Sequence, residues 1–143
     1  MRFWDASAVV PLVVAEAETT RCRTLLAEDA EIVVWCLTPV EVISALTRRV
    51  RENTLKVSDF RGARGRLLAL ERAWSEVTVV ERVSDLARRL LERYPLRAAD
   101  ALQLAAALTL SDPDPRATAF VTLDHRLALA AEQEGFPLLG VEV

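Results

Sequence analysis

One lysine, one histidine, four glycines and two cysteines are all that these 143 residues hold of four residue types on which much catalytic chemistry depends. With four glycines and no two of them adjacent, there is no glycine-rich loop to cradle a nucleotide phosphate. The lone lysine, Lys56, lies in the middle of the chain. A response-regulator receiver pairs its acidic pocket with a lysine after a late strand, and none occurs there. A haloacid-dehalogenase-like phosphatase needs a later lysine too, and Asp-x-Asp where this chain reads Asp5-Ala6-Ser7. His125 alone cannot build a zinc site, and its plainest reading is a solvent-facing residue at a helix start. Cys22 and Cys36 have neither the count of a disulfide framework nor the spacing of a zinc site. Read as free thiols, they suit a reducing, cytoplasmic location. No run approaches the roughly 20 apolar residues of a membrane span. Ala8 to Ala15 is apolar and Ala15-Glu16-Ala17 imitates a cleavage site, but the stretch is short, contains Pro11 and follows Asp5 instead of a basic cluster. A signal peptide is therefore not expected. A basic excess is missing as well: the net charge is −3, so any contact with nucleic acid has to come from local patches.

What remains is 52% hydrophobic and 27% charged, enough to bury the core of one domain spanning residues 1–143. Residues 2–5 read as a short strand, followed by a helix from about Ser7, where Ser7 caps and Pro11 lies near the tolerant first turn. Residues 17–29 read as a second helix. Ile32-Val33-Val34-Trp35-Cys36 is the continuous run of a parallel strand covered on both faces. Thr38-Pro39-Val40-Glu41 reads as a capping box, opening a helix through Val50. After a break at Asn53-Thr54, a long helix covers Ser58 to Trp74. Val77 to Val80 reads as a third strand, and Ser84 starts the next helix, which Pro95 ends. Residues 98–110 form a helix apolar almost all round, hence buried on several sides. After a loop at 111–115 come a strand at 119–122, a helix from His125 to Glu134 stopped by Gly135, and a last strand at Leu138-Leu139. The alternation implies an α/β fold, a mostly parallel sheet of four to five strands between two layers of helices.

Four acids stand at strand ends or helix starts: Asp5, Glu41, Asp100 and Asp124. Each has a plain explanation, since unpaired backbone N–H groups and the helix dipole favour acids there. Glu41 fits the capping box well. Asp100 is harder to explain away, because a charge in so apolar a helix needs a partner, either Arg97 or a metal. Together the four carry more weight. In an open α/β sheet such positions converge on the crevice at the carboxyl ends of the strands. Crowded carboxylates raise one another's pKa, and a hard divalent cation relieves that. Mg²⁺ favours one or two carboxylates with waters and phosphate oxygens, which leaves room for metal-assisted hydrolysis of a phosphodiester.

The segments Phe3-Trp4-Asp5-Ala6-Ser7-Ala8, Glu41 with Ser44-Ala45-Leu46, Leu96 to Ala105 around Asp100, and Phe120 to Leu127 with Ala130-Ala131 and Gly135 resemble PIN domains. Within that family they are most similar to VapC-type ribonuclease toxins of toxin–antitoxin modules. The resemblance implies a three-layer α/β/α fold and Mg²⁺- or Mn²⁺-dependent endonucleolytic cleavage of RNA by water. It implies a homodimer and inhibition by a cognate antitoxin protein. Asp5, Glu41, Asp100 and Asp124 would then be the catalytic, metal-holding acids. Ser7 at the Asp-x-Ser position would orient the site, with help from Thr122. Many members carry a further acid close after Asp124; here His125, Arg126 and Leu127 follow, which leaves the number of metals open.

Outside the acids, Gln103 faces either the crevice or the core. Trp4 and Trp35 read as core, and Trp74 as core or dimer interface. Arg61, Arg64 and Arg66 suggest a patch toward RNA or an antitoxin, though a solvated helix face is the usual meaning of such a run. The helices over Glu16–Leu26 and Val42–Trp74 are expected to carry an apolar groove for an antitoxin segment. The alternative from another class is a PIN-like module that keeps the acids but only binds RNA or a protein.

Overall fold

The computed structural model describes residues 1–141. In chain order they form β1 (Arg2–Trp4), α1 (Ala6–Val13), α2 (Thr19–Glu28), β2 (Ile32–Trp35), α3 (Thr38–Arg51) and α4 (Val57–Ala73). There follow β3 (Ser75–Val77), α5 (Val80–Arg93), α6 (Ala98–Ser111), a short 3-10 turn at Pro115–Ala117, β4 (Ala119–Thr122), α7 (His125–Gln133) and β5 (Leu138–Gly140). The strands make one wholly parallel sheet in the order β3-β2-β1-β4-β5. Strands are added leftward from β1 to β3 and then rightward from β4, so the switch point falls between β1 and β4.

Strand alternation assigns the two faces. Trp4, Val34 and Val121 pack with α1 to α4, while Phe3, Val33 and Phe120 pack with α5 to α7. Register places Phe3 beside both Val33 and Phe120, and the two phenyl rings stack with centroids 5.4 Å apart. The arrangement is thus three layers, α/β/α. Trp4, Trp35 and Trp74 are all core; for Trp74 this decides against an interface.

Four local expectations are corrected. Strand β3 takes Ser75 and Glu76, not Val79 and Val80, because the end of β2 at Trp35 fixes how far the ladder runs. Val79 and Val80 are exposed and open α5, so the β-branched run was not a strand throughout and Ser84 lies inside the helix. Ser7 is the second residue of α1 and does not cap it; Asp5 holds the cap position. The capping box at Thr38 does not form, since no side chain caps α3. Its members are engaged elsewhere, as the next section describes.

Candidate active site

Asp5 leaves the end of β1, its N–H donating to the Val121 carbonyl of β4 at 3.1 Å. It is 4% exposed. Although it sits at the cap position of α1, its carboxylate caps nothing. Instead its Oδ1 accepts from the Ser7 hydroxyl at 2.7 Å. The Ser7 oxygen in turn accepts from the Leu123 N–H at 2.9 Å and lies 3.3 Å from the Thr122 hydroxyl. Thr122 Oγ1 accepts from the Asp124 N–H at 3.0 Å. These two hydroxyls bolt the end of β1 to the end of β4. Asp124 does what the plain reading asks: its Oδ1 caps α7 by accepting from the Leu127 N–H at 3.0 Å.

Glu41 is fixed from across the sheet. Gln103 on α6 is 1% exposed, and its Nε2 donates at 3.1 Å both to Glu41 Oε1 and to the buried Thr38 hydroxyl. The glutamate is therefore held out from α3 by another helix, which is why it makes no capping box. Gln103 Oε1 has no partner among the described residues. Asp100 is half-buried in the first turn of α6. Arg97 forms no ion pair with it within the described residues, though it lies close enough to act on its charge.

All four acids, with Ser7, line one crevice of about 400 Å³, walled by Val10, Val40, Ala45 and Ala99. Burial pushes Asp5 up to about 7, against the Ser7 and Thr122 hydrogen bonds, with the charges of Asp124 and Glu41 adding to the rise. Burial likewise lifts Glu41 to about 7; the Gln103 hydrogen bond opposes this and the charge of Asp100 reinforces it. Asp100 is raised by burial and then by Asp124, against its contacts with Arg97 and the charge of Arg126. As they stand, no three His, Cys, Asp or Glu side chains among the described residues converge closely enough to hold a metal ion. The donor set still fits a hard divalent cation of the Mg²⁺ kind, which binds through one or two carboxylates and keeps several waters. Two carboxyls held near neutrality by burial and like charge are what such a cation would ionise.

The sequence model of the PIN domain matches residues 2–133. The chain belongs to the PIN domain family. PIN domains are in general nucleases that use divalent metals. No curated protein matches the chain. Among solved structures, it is similar to the crystal structure of FitAcB from Neisseria gonorrhoeae, with a TM-score of 0.65 at 14% identity, covering 98% of this chain and 97% of that one. At that identity the likeness speaks for the fold.

Other surfaces of this PIN domain differ from expectation. Arg66, though exposed, is anchored to α1: its Nε donates to the Val13 carbonyl at 2.7 Å. Arg64 lies over the Phe60 ring, 5.7 Å from its centroid. An apolar groove of about 380 Å³ does exist, between α3 and α4, lined by Pro39, Val40, Ile43, Leu67 and Leu68 with Arg64 and Glu71 at its edges. Helix α2 takes no part in its lining. Val40 borders both groove and crevice. Arg48 is not among the residues singled out in the sequence, yet it lines the crevice. Its spacing was the available signal, because seven residues after Glu41 is two helical turns on the same face. No helix is long and apolar enough to cross a membrane, and both cysteines are free thiols.

Proposed function

We propose that this chain is an endoribonuclease of the VapC type, a toxin that hydrolyses RNA phosphodiester bonds with Mg²⁺ or Mn²⁺. The observation that carries it is the use of Asp5 and Glu41. Both stand where a helix would employ them as caps, and both are turned instead into a crevice shared with Asp100 and Asp124. Asp5, Glu41, Asp100 and Asp124 would hold the ion, directly or through water. When bound, such an ion supplies a lowered water pKa and neutralises charge on the phosphoryl and leaving oxygens. The chain's own groups set the stage. Ser7 and Thr122 hold Asp5 in place against β4, Gln103 holds Glu41, and the α7 start holds Asp124.

The finer reading extends to partners. The whole of residues 1–143 acts as one domain, in the cytoplasm, as a homodimer restrained by a cognate antitoxin. An apolar antitoxin segment fits the α3–α4 groove, where Val40 is 65% and Leu68 51% exposed. Seated there it would lie against the crevice through Val40. The decisive experiment is cleavage of single-stranded RNA, tRNAs included, with Mg²⁺ present or chelated. Cutting that EDTA and Asp100→Asn abolish supports the nuclease. Binding of RNA or protein without metal-dependent cutting would instead favour the non-catalytic module.

A further inference from the structure

The fold leaves three arginines unused around the acidic crevice. Arg48 lines it from α3. Arg97, just before α6, stands three residues ahead of Asp100, and Arg126, in the first turn of α7, two residues beyond Asp124, and both of those acids line the crevice. All three are exposed. Among the described residues none of them makes an ion pair, whereas Arg49, adjacent to Arg48, is tied to Glu16 at 2.8 Å. Arg2, Arg82, Arg93 and Arg116 each have a carboxylate partner too. The arginines beside the four crevice carboxylates are thus among those left without an ion pair among the described residues.

Charge balance gives them a task. A polyanion approaching four carboxylates is repelled within a Debye length, about 8 Å at physiological salt. One ion in the crevice offsets that only at the phosphate it touches. Neighbouring phosphates need cations of their own, and guanidinium forks match phosphate oxygens bidentately. We propose that Arg48 on the α3 wall, and Arg97 with Arg126 at the helix starts beside Asp100 and Asp124, grip the phosphates flanking the one to be cut, so that a single nucleotide strand crosses the crevice from α3 to the α6–α7 side. This rests on the nuclease reading above and names how that site holds its substrate.

The test uses the full chain in Mg²⁺ and a fluorescein-labelled 2′-O-methyl phosphorothioate single strand that resists hydrolysis. Anisotropy across a salt series is compared for wild type, Arg48→Gln, Arg97→Gln, Arg126→Gln and Arg88→Gln. The last removes one exposed charge from α5, away from the crevice. Each crevice variant is expected to lower the slope of log affinity against log salt by roughly 0.7 and the control to leave it unchanged. Arg48→Lys should keep the slope while losing affinity about twofold, since charge remains and the fork is lost. With a cleavable strand, KM should rise roughly fivefold in Arg48→Gln while kcat stays within about twofold. A wild type that cuts RNA while the crevice variants match Arg88→Gln overturns the grip and leaves the nuclease standing. A wild type that loses binding with each crevice variant but never cuts upholds the grip and overturns the nuclease. A wild type that binds no RNA overturns both.

Discussion

The acids of the crevice differ in what they would lose on mutation. Asp5 and Glu41 ionise near 3.8 and 4.5 in an unfolded chain but near 7 in the metal-free fold. Between those values the folded state binds more protons, so stability falls as pH rises from about 4 to 7 and then levels off. Metal-free protein should therefore melt higher at pH 5 than at pH 8. Asp5→Asn should melt above wild type at pH 8 in EDTA and shrink that pH difference; calorimetry showing equal melting temperatures would count against a crowded crevice. Gln103 is the complementary case. Leucine there keeps the volume but removes both hydrogen bonds, so RNA cleavage should drop by about 10- to 100-fold. Circular dichroism should show the fold retained.

Helix and strand boundaries followed from the sequence where local chemistry and packing agree. The buried run at β2, the all-apolar α6 and the Gly135 stop, with φ +105°, were legible for that reason. The third strand was not, because Val79 and Val80 look like strand residues while the length of β2 decides where pairing ends. The Thr38 capping box failed similarly: its two side chains are claimed by Gln103, 65 and 62 residues away. Local motifs cannot anticipate a partner at that separation. Glycines offer a contrast at this scale. At Gly140, φ is +104° and an added Cβ would stand 2.1 Å from the Thr122 carbonyl oxygen, behind the hydroxyl that supports Asp5 and Asp124. Gly140→Ala should lower the melting temperature by roughly 5 °C or more and reduce cleavage as well. Gly65, inside α4, meets nothing within 4 Å. Gly65→Ala should raise stability by about 0.5–1 kcal/mol, read from urea midpoints.

For the molecule as a whole, protons and the divalent ion of the proposed nuclease would compete for the same carboxylates. Mg²⁺ should accordingly raise the melting temperature more at pH 8 than at pH 5.5, where Asp5 and Glu41 hold protons. An equal shift at both pH values would mean that the ion stabilises the protein elsewhere. The strand order has a last consequence. Because β1 pairs directly with β4, Asp5 meets Asp124 only once the chain has run through β4. A partly synthesised chain that has not yet reached β4 holds Asp5 without Asp124, and until then the crevice lacks one of its walls.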